Sequence, residues 1–390
     1  MISFPRQSLR GNAAAPLVAL AMAALVSCGP STPAFEGLDV PAVSVSLGEA
    51  LLLGEAATVV PGADAAEDTP NLGEIGGGRF LPDEGFVLAN GATTSLLLFD
   101  SEGAFEGELT DAEAGTPPME RVHDVAVLDD GNLLAWDRAL KRISTFSRAG
   151  RLKGVTEIRD LERLPADRVL ILAPDRMAVF YYRHPRTYPR GFSRMQVMIL
   201  IMDLDGDAKA RVGPLPGRAL YGAPGANILV PFGERFLASA IEGRLFVGDG
   251  VAAEILEFDA EGHPVRVLSI PLSRAAISPA NREELLASYR RPTTGEAWIE
   301  ALDTSFRADS FPAFDRLVAS GDGRLWLRRH GGMERPADWL RIDPVRREGK
   351  PISLPPGAEL LDAAGDRLLL LLELDTGRPE VRVHRVGGDA

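Results

Sequence analysis

One small pattern recurs along the chain and limits what it can fold into: an apolar run, an Asp or Ser, turn residues including Gly, then a new strand-like start. LLLFDSEGAF at 96–105 is the clearest copy and ILEFDAEGHP at 255–264 the next, with ILIMDLDG at 199–206 and ISTFSRAG at 143–150 as looser versions. A second mark, a tight turn after an apolar strand, falls near Gly85, Gly131, Asp175, Gly243, Gly323 and Gly365, at intervals of 46, 44, 68, 80 and 42 residues. Short hairpin turns need Asp, Asn or Ser to bond the local backbone and Gly to supply positive φ. Each unit therefore reads as four antiparallel strands, a to d, with one mark joining a to b and the other joining c to d.

A four-stranded sheet that is apolar on both faces has no stable existence alone and must stack on its neighbours. Radial stacking of six such sheets predicts an all-β fold, a six-bladed β-propeller. The long intervals are read as insertions. One is the b–c loop of the third unit, YYRHPRTYPRGFSR at 181–194; another is a connection at about 273–312 with a helix opened by Ser278 and Pro279. The sixth unit ends after its third strand, near Val386. The alternating segment AVSVSLGEALLLGE at 42–55 is expected to supply the fourth and close the ring.

The N-terminus has a different character. Arg6 and Arg10 precede an apolar stretch from Ala13 to Val26, and Leu25-Val26-Ser27-Cys28 follows. Fourteen apolar residues in a helix span about 21 Å, short of a hydrocarbon core of about 30 Å, so the segment reads as an export signal and not as a membrane span. The tetrapeptide resembles the bacterial lipobox, which implies a signal peptide over 1–27, lipidation at Cys28, a tether over 28–41 and a folded body over 42–390. Cys28 is the only cysteine, so no intramolecular disulfide can form. The formal charge of −13 disfavours a nucleic-acid partner. The expected location is the cell envelope outside the cytoplasm, with the membrane reached through Cys28.

The segments GRFLPDEGFVLANGATTSLLLFDSEGAF and FPAFDRLVASGDGRLWLRRH, with WLRIDP, resemble six-bladed propellers of the NHL-repeat and TolB-like superfamily. Similarity is greatest to exported bacterial members without assigned activity, whose opening strand VSVSLGE is similar to. The resemblance implies the fold and leaves the function open.

In a propeller the a–b and c–d turns share one face, and the b–c and d–a loops share the other. The short marks leave little room for a ligand on the first face. The insertions, including RRHGGMERPAD at 328–338, all fall on the second. That face gathers Tyr182, Arg183, His184, Arg186, Tyr188, Arg190 and Arg328, and His123 opens an inner strand that could face the funnel. Guanidinium groups beside phenols suit an anionic or ring-bearing ligand. The more common role for such groups is structural, with the arginines paired to Asp and Glu of neighbouring loops and the tyrosines packing the rim. No motif implies a cofactor or a metal, and no catalytic set is recognisable. The expectation is a binding or scaffolding module for a protein, peptide or glycan. The alternative is a propeller hydrolase or lyase with a metal or carboxylates in the funnel.

Overall fold

The computed structural model describes residue 35 and residues 38–61, 70–110, 118–183, 190–224, 226–290, 294–330, 338–374 and 378–387. Six sheets form the ring. Blade 1 is Ile75–Phe80, Phe86–Asn90, Ser95–Phe99 and Phe105–Leu109; blade 2 is Val122–Val127, Leu133–Asp137, Arg142–Phe146 and Leu152–Glu157. Blade 3 is Ala166–Ala173, Arg176–Arg183, Gly191–Met202 and Ala208–Ala223, with a fifth strand Ala226–Leu229. Blade 4 is Leu237–Ile241, Arg244–Gly248, Glu254–Phe258 and Pro264–Ser269. Blade 5 is Phe314–Ala319, Leu325–Arg329, Asp338–Asp343 and Glu348–Ser353. Blade 6 is Glu359–Ala364, Arg367–Glu373, Pro379–Gly387 and, from the other end of the chain, Leu52–Val60.

The recurring pattern is a stapled c–d turn. Asp100 Oδ1 accepts from the backbone N–H groups of Glu102 and Ala104, and Asp259 Oδ1 does the same for Glu261 and His263. In the looser copies Ser147 Oγ serves Arg151 and Asp203 Oδ1 serves Asp207. Gly103 and Gly262 close the two clearest turns at φ +86° and +83°, where any other residue would be strained.

Stability comes from the junctions. Six apolar clusters each join two neighbouring blades, such as Leu134 and Trp136 with Val169 and Met177 between blades 2 and 3. Trp326 and Trp339 are buried in the cluster between blades 5 and 6. Burial of both faces of every sheet is what the apolar strands require.

The closing strand differs from expectation in its bounds. Leu52–Val60 pairs with the last strand, while Ala42–Ser44 and Ser46–Leu47 run parallel to the outer strands of blades 4 and 5. Upstream, Phe35 is buried between blades 3 and 4, with Leu38 and Val40 packed on the same cluster, inside the span read as tether. The N-terminal segment is thus a belt around the rims of three blades that ends as the closing strand. Alternating Val43, Val45 and Leu47 run straight across the step from blade 4 to blade 5, so the sequence does not reveal where one sheet hands the segment to the next.

Between blades 4 and 5 lie two helices where one was expected, α1 (Pro279–Tyr289) and α2 (Glu296–Ser305). Ser278 caps α1 as read, in a capping box with Asn281. Ala301 and Leu302 of α2 pack on Ile228 of blade 3, so the two large insertions support each other on one face.

Candidate functional site

Five of the six innermost strands break register with their partner near their start, and that of blade 3 breaks again between Ile171 and Ala173. The breaks near the start lie between Ile75 and Gly77, Val122 and Asp124, Ala166 and Arg168, Phe314 and Arg316, and Leu360 and Asp362. The extra residues are Gly76, His123, Asp167, Asp315 and Leu361. A bulge of this kind twists a strand and re-aims its side chains. Here it brings a layer of charge to an otherwise apolar channel. In blade 1 the room is made by glycine: a Cβ on Gly76 would lie 2.3 Å from the His123 carbonyl oxygen.

Four arginines of this layer have carboxylate partners. Arg328 grips Asp315 with two bonds of 2.7 and 3.1 Å, Arg316 holds Glu359, and Arg138 holds Asp167. Arg79 lies 3.6 Å from Asp124 and donates to the carbonyl oxygens of Gly78 and Leu361 at 2.7 and 3.1 Å. Arg168 is left over. Its hydrogen bond goes to the Ala238 carbonyl at 3.0 Å, and no carboxylate among the described residues lies within ion-pair distance. Burial pulls its pKa down; Asp124 and Tyr182 oppose that, and Arg79 and Arg316 add to it. A guanidinium in this position is a buried charge with no carboxylate bonded to it among the described residues, and Asp124 acts on it only from beyond ion-pair distance.

Tyr182 and His123 stand beside it. Burial raises the Tyr182 phenol pKa, and Arg218, Asp167, Arg168 and Arg138 are the charges acting on it. Burial also lowers the His123 pKa, against the pull of Asp124. The imidazole is therefore biased toward its neutral form.

Of the residues named from sequence, the structure brings His123 and Tyr182 into the field of Arg168, Tyr182 with its ring edge-on to Phe236 between blades 3 and 4. Arg328 is committed to Asp315, the pairing alternative. Arg183 turns outward, 3.9 Å from Glu162, and Arg190 is exposed. His184, Arg186 and Tyr188 lie outside the described residues, and Cys28 does as well. The segment read as a loop at 181–194 is strand at both ends, through Arg183 and again from Gly191. Arg168, Arg79, Arg316 and Asp362 were missed. A signal was present: the inner strands open with charged residues, HD at 123–124 and DR at 167–168 and 315–316, just ahead of an apolar run.

The face of short turns also differs from expectation. A cavity of about 640 Å³ occupies that end of the channel, lined from Arg79, Asp124, Ser239 and Asp362 out to Pro82, Asp129, Pro174 and Glu242. Short turns leave little loop to bind with, but they also leave the channel mouth uncovered.

No family model matches the chain, and no curated protein matches it. Among solved structures, it is similar to a member of the DUF4221 family from Bacteroides vulgatus at 10% identity and TM-score 0.52, covering 87% of this chain and 99% of that one. It is also similar to a presumptive exported protein of Bacteroides fragilis at 10% identity and TM-score 0.50, covering 89% and 100%. Likeness at this identity establishes the propeller and no activity.

Proposed function

We propose that the chain is an exported, Cys28-anchored propeller of the cell envelope that binds a small anionic ligand at the insertion-bearing mouth of its channel. Arg168 carries the reading. Every other arginine of the charged layer named above has a carboxylate, and this one keeps a charge that a ligand carboxylate or phosphate would complete. Tyr182 and neutral His123 add a phenol and an imidazole for hydrogen bonding or stacking beside it. The export segment at the N-terminus, and structural neighbours one of which is described as exported, support a location outside the cytoplasm.

The test is thermal denaturation against a panel of aryl and alkyl carboxylates and phosphates, with Arg168→Gln alongside. A ligand at a hundred times its Kd stabilises by about 2.7 kcal/mol. At least one anion class should raise the wild-type melting temperature and leave the variant unmoved. No response from any anion, or an equal response in the variant, refutes the proposal.

A further inference from the structure

The cavity at the other end of the channel has a chemistry of its own. Its wall is apolar: Ala126, Ala173, Ala240, Ala319 and Ala364 come from the innermost strands of five blades, with larger side chains such as Phe80, Val127, Ile171 and Ile241 among them. Five alanines keep open a bore that larger side chains in their places would fill. The inner end is polar. Asp362 is 3% exposed, and its Oδ2 accepts the Phe80 N–H at 2.9 Å. Its Oδ1 is buried and has no hydrogen-bond partner. Ser239 Oγ accepts from the Ala319 N–H at 2.7 Å, which leaves its own proton free to donate.

Charge separates the two ends. The one guanidinium of the lining, Arg79, already faces Asp124 and is tied to two carbonyl groups, so Arg79, Asp124 and ionised Asp362 together keep one negative charge. Asp129 and Glu242 at the turns add acidity at the mouth. An anion suited to Arg168 has no welcome here.

We infer that this cavity is a second, separate binding site, for an organic cation with an apolar body in the bore and an ammonium group on Asp362. The volume lies within the range of small-molecule pockets. A charge-assisted hydrogen bond would give Asp362 Oδ1 the partner the fold withholds. The site is independent of Arg168, so either reading can fail without the other.

The experiment is calorimetric titration at pH 7.5 with 2-phenylethylammonium, against its near-isosteres 2-phenylethanol and 3-phenylpropanoate. The ammonium should bind at least about tenfold more tightly than the alcohol, and the carboxylate should not bind. Asp362→Asn should remove the preference for the ammonium. Ala240→Phe, which fills the bore and leaves Asp362 in place, should abolish binding with the fold intact by circular dichroism. Arg168→Gln should bind as the wild type does. Absence of binding to the wild type at millimolar ammonium, equal affinity for the alcohol, or undiminished binding in Ala240→Phe would overturn the inference.

Discussion

Phe80 donates its backbone N–H to the Asp362 carboxylate across 282 residues of sequence, joining the innermost strand of the first blade to that of the last. The bond ties blade 1 to blade 6, the blade in which the two ends of the chain pair as Leu52–Val60 with Pro379–Gly387. It also fixes one oxygen of a carboxylate whose other oxygen has no partner.

A stability profile should reveal that carboxylate. Burial raises the Asp362 pKa from 3.8 to about 6, against the lowering pull of Arg79 and the N–H groups of Phe80 and Ala363; Asp322 pushes it further up. The folded state therefore holds this proton more tightly than the unfolded state. Its contribution is fully present below pH 3.8 and is lost as pH rises through 6. Two units correspond to a loss of about 3 kcal/mol. Asp362→Asn keeps an oxygen for Phe80 and removes the titration. Urea midpoints should show its stability relative to wild type rising by up to about 3 kcal/mol between pH 4 and pH 7.5; a flat difference would exclude a raised pKa.

The belt makes a second testable demand. Phe35 lies 17 residues ahead of the closing strand Leu52–Val60 and is 6% exposed between blades 3 and 4, whereas Leu52 is 72% exposed. Phe35→Ala should cost about 3 kcal/mol by urea denaturation, because a buried ring is replaced by a void. Leu52→Ala should change stability by less than about 0.5 kcal/mol. Equal effects would mean that the ring does not depend on the belt ahead of its closing strand.

Much of this fold is written locally. Asp100 with Gly103 and Asp259 with Gly262 announce their turns because the side chain bonds the backbone within four residues. Six such units leave little choice but a ring. The hand-over of the belt from Ser44 to Ser46 to Leu52 was not legible, since each piece pairs with strands 200 or more residues away. The site was harder still. His123 and Tyr182 stood out as rare residue types. Arg168 is one of many arginines, and only the three-dimensional pairing of Arg79, Arg138, Arg316 and Arg328 sets it apart from its neighbours in the charged layer. Asp362, in a strand reading ELLDAA, looks like a turn acid until its burial is known.

Glycine at the blade 1 to blade 2 junction should be irreplaceable. A Cβ on Gly76 would meet the His123 carbonyl oxygen at 2.3 Å and its Cα at 3.2 Å, and backbone atoms have nowhere to go. Gly76→Ala should destabilise by about 1–3 kcal/mol as the two inner strands are forced apart. Gly154, in an outer strand with nothing within 4 Å of its would-be Cβ, is the control and should tolerate alanine within about 0.5 kcal/mol. Comparable melting temperatures for the two variants would deny the close approach.

Arg168 separates function from stability. A residue kept for the fold should weaken it when removed; a residue kept for a ligand, held against Arg79 and Arg316 with the Ala238 carbonyl as its one hydrogen-bond partner among the described residues, should not. Arg168→Met preserves the aliphatic stem and deletes the charge. Removing an uncompensated charge from the channel should stabilise the free protein by about 1 kcal/mol, seen as a higher melting temperature, while the response to anions disappears. Raising the salt concentration should narrow the gap between variant and wild type, because free anions then screen the wild-type guanidinium. A variant that melts well below wild type at every salt concentration would make Arg168 a structural residue, and the anion site would lose the observation on which it rests.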